Sequence, residues 1–277
     1  MTGSTVVQLG QAVARQTAAG ATMRTLLETR PDGAGLGRLL VDVPDGALFA
    51  GTAEAGGELW FVVSGNGLLV VQAQGQASDH PVRLSLGADQ GVWMPAGLAY
   101  RVQSDPAGLT SRAAEDLGPG LRLDIVTLPC PDSAGSDTAG SDTAGSDAAG
   151  TAVPVTRAFA DCEIEATGDR QFRVLFGPGQ AADGCRSATQ FVGEIPPGRA
   201  PDHSHPYDET VLVLQGQGIV HIGGASHPLA PGTCTRLPPG LPHCLENSGH
   251  AMLRVLGVFH PADSPAAKLP PPATSGQ

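Results

Sequence analysis

The sequence predicts an all-β protein built as two similar antiparallel barrels or sandwiches. Three observations carry that expectation: short apolar or alternating segments bounded by Gly and Pro, a turn-rich composition, and an ordered internal repeat. Gly (38) and Pro (24) are abundant among 277 residues while aromatics reach only 4%, a mix that suits many short strands joined by tight turns. FVGEI, TVLVLQG, GIVHIGG, TCTRLP and MLRVLGVF read as strands, with VLVLQGQG and IVHIGG as the two arms of a hairpin. Helical periodicity is confined to a faint pattern over residues 5–30.

The repeat is read by matching segments in order. MRTLL (23–27) answers FRVLF (172–176), and RLLVDVPDG (38–46) answers TQFVGEIPPG (189–198). Glu58-LWFVVS-Gly65 and Glu209-TVLVLQ-Gly216 share one spacing; MPAGLAY (94–100) matches LPPGLPH (237–243), and LRLDIVTLP (121–129) matches LRVLGVFHP (253–261). Duplication of one domain explains the series. Between the copies, residues 130–152 repeat AGSD without an apolar period, so they read as a flexible linker with an rms span of roughly 25 Å. The expected division is an N-terminal barrel over 1–129, the linker 130–152, a C-terminal barrel over 153–262, and a disordered Pro/Ala-rich tail over 263–277.

Composition removes several classes of function. The net charge is −11 with only 16 Lys and Arg, none clustered, so no basic stripe exists to neutralise phosphates or an acidic membrane surface. A basic region followed by an apolar stretch is missing from MTGSTVVQLGQAVARQ, and no run approaches the ~20 apolar residues of a membrane helix. The five cysteines are scattered without a CxxC pair, which argues against a disulfide framework or a zinc knuckle. The expectation is a cytoplasmic protein with a small-molecule substrate and no nucleic-acid or membrane partner, either a homodimer through strand edges or a monomer pairing its own barrels.

The chemistry concentrates in the second half. In a strand, residues i and i+2 share a face, so His203 and His205 can point into a barrel together, and Glu209 has the same parity. His243 follows the tight turn Pro238-Pro239-Gly240, which can return it across the barrel. Three imidazoles and one carboxylate suit one divalent transition metal (Fe, Mn, Ni, Co, Cu or Zn) and leave coordination positions open.

These residues resemble the cupin family. Its first motif, G(X)5HXH(X)3-4E(X)6G, stands as Gly198-RAPD-His203-Ser-His205-PYD-Glu209-TVLVLQ-Gly216, one residue short in the opening gap. Its second, G(X)5PXG(X)2H(X)3N, stands without deviation as Gly232-TCTRL-Pro238-Pro-Gly240-LP-His243-CLE-Asn247. The resemblance covers 156–262 through its motifs and 20–129 through the repeat. It implies two double-stranded β-helix (cupin/jelly-roll) barrels, with the metal in the mouth of the second. Aligned on Glu58 and Gly65, the first barrel carries Thr52 and Glu54 at the HXH positions and Tyr100 at the second-motif His, so it is expected to lack the metal site.

Around the ligands, Tyr207 is a candidate proton donor and Glu209 a candidate base, while Arg199 and Arg236 are candidates to clamp a substrate carboxylate. Cys244 follows His243 and should face away from the site; Trp60 and Trp93 read as core. The resemblance implies, first, an oxidoreductase of the dioxygenase type. The second reading is a non-redox isomerase, decarboxylase or lyase that uses the metal as a Lewis acid, and the third is a binding or sensing module without turnover.

Overall fold

The computed structural model describes residues 5–29, 35–72, 81–105, 120–130, 153–180 and 184–267. The expected linker beyond Cys130 and the tail beyond residue 267 lie outside the described residues. Among the described residues, regular structure is carried by strands apart from single 3₁₀ turns at Leu9–Gln11 and Phe159–Asp161. Residues 5–27 are therefore short strands about one such turn, in place of the faint helix. Hydrogen bonds to neighbouring strands override a weak local period.

In the first half the strands are β1 (Thr5–Val7), β2 (Ala14–Gln16), β3 (Thr22–Leu27), β4 (Gly37–Val43), β5 (Leu48–Thr52) and β6 (Glu58–Ser64). They continue as β7 (Gly67–Gln72), β8 (Val82–Leu86), β9 (Gln90–Met94), β10 (Ala99–Ser104) and β11 (Leu121–Thr127). The second half opens with β12 (Val155–Ala158), β13 (Glu165–Thr167), β14 (Arg170–Phe176), β15 (Thr189–Ile195) and β16 (Gly198–Arg199). Then come β17 (Asp208–Gln215), β18 (Gly218–Ile222), β19 (Ala225–Leu229), β20 (Cys234–Leu237), β21 (His243–Asn247) and β22 (Leu253–His260).

Each of two units holds a seven-stranded and a four-stranded sheet. One unit has the orders β12-β9-β6-β11-β4-β3-β2 and β5-β10-β7-β8; the other has β1-β20-β17-β22-β15-β14-β13 and β16-β21-β18-β19. Offset by one copy, the two pairs of orders are the same, so the repeat read from sequence is a repeat of topology. The units are discontinuous in the chain. Thr5–Val7 pairs with β20 of the second unit, and Val155–Ala158 pairs with β9 of the first. The sequence division placed those two strands the other way round, because the repeat shows which segments are equivalent and not which partners they take.

The expected hairpin of VLVLQGQG with IVHIGG is not formed. β17 bonds to β20 and β22, whereas β18 bonds to β19 and β21 in the other sheet. Gly216 (φ 89°) carries the chain between sheets, and a Cβ there would lie 2.7 Å from the Met252 carbonyl oxygen. Gly65 (φ 81°) makes the same transfer in the first unit.

The two interiors differ. Trp60, Tyr100, Phe49, Met94 and Leu123 fill the first, with Trp60 and Tyr100 edge-to-face at 4.7 Å. The second is lined by smaller aliphatics, among them Val211, Val220, Ile222 and Val255. Residues 263–267, assigned in sequence to the tail, are tied down: the Thr189 hydroxyl donates to the Asp263 carbonyl at 2.8 Å.

A buried ion pair joins β4 to β11 in the first unit. Arg38 donates through Nε and Nη2 to the two oxygens of Asp124 at 2.8 and 2.9 Å, and both side chains are fully buried. The equivalent positions in the second unit, by strand register, are Gln190 and Leu256, so the fold does not demand the pair. Arg38→Met, which strands a buried carboxylate, is expected to cost about 3–5 kcal/mol, and Arg38→Met with Asp124→Leu to recover most of it. Urea unfolding followed by tryptophan fluorescence reports this, since both tryptophans, Trp60 and Trp93, sit in that unit.

Candidate metal centre

His243 opens β21, while His203 and His205 lie on the segment between β16 and β17. Reciprocal main-chain bonds seat that segment: His203 N–H donates to the His243 carbonyl (3.0 Å) and His243 N–H to that of His203 (2.8 Å). The Gly240 N–H donates to the His205 carbonyl at 2.7 Å. Ring centroids of the three histidines stand 4.7–5.0 Å apart, and one ligand nitrogen from each lies within 4.8 Å of the others. Two imidazole nitrogens on one ion are at most about 4.2 Å apart at ~2.1 Å per bond, so the three rings must draw closer to share one ion.

The hydrogen bonds fix which nitrogen faces inward. His203 Nδ1 lies 3.2 Å from the Pro201 carbonyl oxygen and His243 Nδ1 2.8 Å from that of Leu241. A carbonyl accepts only, so Nδ1 carries the proton in both and Nε2 presents its lone pair to the site. Burial holds the His243 imidazole below its ordinary range, against the pull of Glu209, which keeps it in the neutral, ligating form. Glu209 Oε2 stands 3.3 Å from His205 Nε2. His205 and Glu209 are each 6% exposed, and the buried His205 Nδ1 has no hydrogen-bond partner among the described residues. Three inward imidazoles beside a buried carboxylate fit one divalent transition metal.

His205 stacks on Tyr207 (4.7 Å), and Tyr207 on Phe259 (4.1 Å). Burial, with Glu209 and Asp263 nearby, pushes the Tyr207 hydroxyl far above the ordinary tyrosine range. The four ligand candidates and Tyr207 all line one cavity of about 100 Å³. Its walls are apolar, including Phe172, Phe191, Ile195 and Val255, and among the described residues Arg170 is the one Lys or Arg that lines it.

The expected substrate arginines are elsewhere. Arg199 is half-exposed on the outer face, donating to Cys244 Sγ at 3.3 Å and pairing with Asp202. Arg236 pairs with Asp208 at 3.6 Å. Neither lines the cavity, because their strand parity turns both outward. Cys244 is buried on that outer face, as its parity predicts. The sequence reading passed over Arg170, although it shares parity on β14 with the inward Phe172.

In the first unit other residues stand at the corresponding places. Tyr100, at the place of His243, pairs with Gly51, and the Gly97 N–H donates to the Ala53 carbonyl as Gly240 does to His205. Gly51 and Ala53, not Thr52 and Glu54, therefore hold the HXH places. The chain has one more residue between that pair and Glu58, and Thr52 and Glu54 are exposed. Glu58 accepts from the Trp60 indole N–H at 2.7 Å and from the Glu54 N–H. Tyr100 covers Gly51: a Cβ there would meet its hydroxyl at 2.6 Å.

The Cupin domain family pattern matches residues 191–259. The C-terminal barrel is a cupin domain. Among solved structures, variants of Bacillus subtilis oxalate decarboxylase align over 95% of this chain and 78% of theirs at 13% identity, with a TM-score of 0.68. Lactobacillus farciminis oxalate decarboxylase in a formate complex aligns over 94% and 87% at 15% identity, TM-score 0.66. At these identities the likeness is one of fold. No match was found among curated protein sequences. For the cupin domain, metal analysis of protein purified without added metal is expected to give about one divalent ion per chain. His203→Ala or His243→Ala should remove it, whereas Tyr100→Phe should leave it in place.

Proposed function

We propose that the cupin barrel is the active site of a metal-dependent enzyme that cleaves a carbon–carbon bond in a small, largely apolar organic acid, in the manner of a decarboxylase. The observation that carries this reading is an apolar cavity ending on three imidazoles, a carboxylate and a protonated tyrosine. His203, His205, His243 and Glu209 would hold the metal. When bound, the cation supplies Lewis acidity that draws electron density from a carbonyl or carboxylate oxygen.

The chain's own groups supply the remainder. The apolar walls exclude water and orient the substrate body toward the ligand end. As the carbon–carbon bond breaks and CO₂ departs, the electron pair left on carbon takes a proton from the Tyr207 hydroxyl, which solvent later restores. Tyr207 suits that task because its hydroxyl is protonated and its stacking between His205 and Phe259 fixes its ring. Support from kinship is limited to fold: the similar structures are oxalate decarboxylases, and one was studied for its Mn(II) centres.

The dioxygenase expected from the resemblance is separated from this reading by gas exchange. With short aliphatic and aromatic oxo acids, CO₂ release without O₂ uptake supports decarboxylation; stoichiometric O₂ uptake replaces it with oxygenation. Tyr207→Phe is expected to lower turnover about 10²–10³-fold at unchanged metal content. A variant with undiminished turnover would remove Tyr207 as the acid.

A further inference from the structure

The duplicated barrel supplies an internal control for the cavity. By strand register Met23 takes the place of Phe172, and Ala21 that of Arg170: Ala21 O accepts from Thr17 N–H where Arg170 is paired with Thr167. Ala21 is fully buried in the filled interior. Trp60 stands where the cupin barrel has Val211, and Val41 where it has Gly193. One copy thus combines the histidines, an open cavity and an arginine. The other combines Gly51, Ala53 and Tyr100 with a filled interior and an alanine. An arginine needed by the fold would be present in both.

Arg170 lines the cavity with a side chain 14% exposed. Its Nη2 donates to the Leu245 carbonyl at 3.2 Å, which ties it across to β21. Leu245 lies two residues beyond His243 on that strand, a rise of about 7 Å. Among the described residues, the carboxylate paired with Arg170 is Asp169, at 3.6 Å and 72% exposed, a wet contact of little strength. The guanidinium is thus anchored by one nitrogen, poorly solvated, and left with donors for another anion. Phe172, Phe191 and Val255 line the same cavity as Arg170 and the histidines.

We infer that Arg170 is a specificity-determining residue that receives a second, anionic end of the substrate, so that the cupin barrel takes a two-ended molecule. One end is an oxygen group at the histidines, the body is a short chain or single ring, and the far end is a carboxylate. This rests on the reading of the barrel as an active site and names its substrate class. The carboxylate at Arg170 is retained in the product, since an ion pair stabilises the anion and opposes its loss as neutral CO₂.

The test uses 4-hydroxybenzoate and its neutral analogue 4-hydroxybenzamide, titrated calorimetrically into the full chain, its Arg170→Met and Arg170→Lys variants, and chelator-treated protein, with metal content measured throughout. Wild-type protein is expected to prefer the carboxylate about tenfold or more. Arg170→Met should bring the two probes within about twofold at unchanged metal content, and Arg170→Lys should keep part of the preference. Equal affinities in the wild type, binding of neither probe, or a preference that survives Arg170→Met would overturn the inference. Metal-free wild-type protein that still shows the Arg170-dependent preference would overturn the metal reading alone.

Discussion

Two main-chain hydrogen bonds between His203 and His243 hold the site together. The segment carrying His203 and His205 lies between strands, so no continuous ladder sets its position. The reciprocal pair, with the Gly240 N–H on the His205 carbonyl, docks it against β21 and brings the three rings to 4.7–5.0 Å. Positive φ at Gly240 (72°) completes the turn that makes this approach. Without that docking, the histidines would be a sequence pattern with no common centre.

The same backbone frame appears twice and is used in opposite ways. In the first unit Tyr100 pairs with Gly51 as His243 pairs with His203, but the space belongs to Tyr100, Trp60 and Met94. In the second, Val211 and Gly193 are small enough to leave the interior open. Packing explains both states. A barrel interior must be filled by side chains or shaped for a ligand, because an unlined void forfeits contacts on every side. Glu58 and Glu209 share a place in the frame, yet one is bonded to an indole and a main-chain amide while the other faces His205.

Much of this was legible in residue order. The motif spacings brought His203, His205, Glu209 and His243 forward as ligand candidates, and all four line one cavity. Strand assignments such as β15, β17 and β22 followed from apolar runs bounded by Gly and Pro. Other readings failed where the deciding fact was a partner far along the chain. Gly216 could close a hairpin or carry the chain to another sheet, and only the bonds of β17 to β20 and β22 choose. Thr52 and Glu54 were aligned by counting back from Glu58, and one extra residue moved the true places to Gly51 and Ala53. Arg199 and Arg236 stand beside motif residues, but adjacency in a strand means opposite faces.

By itself, then, the sequence determined the all-β class, the duplication and a candidate ligand set, since each is written in local periods and spacings that the backbone must obey. Tertiary structure alone decided the exchange of β1 and β12 between units, the filling of one barrel, and the placement of Arg170 on the cavity of the other. Those depend on which distant strands share hydrogen bonds and on whether facing side chains meet or leave a gap, and neither has a signature in residue order.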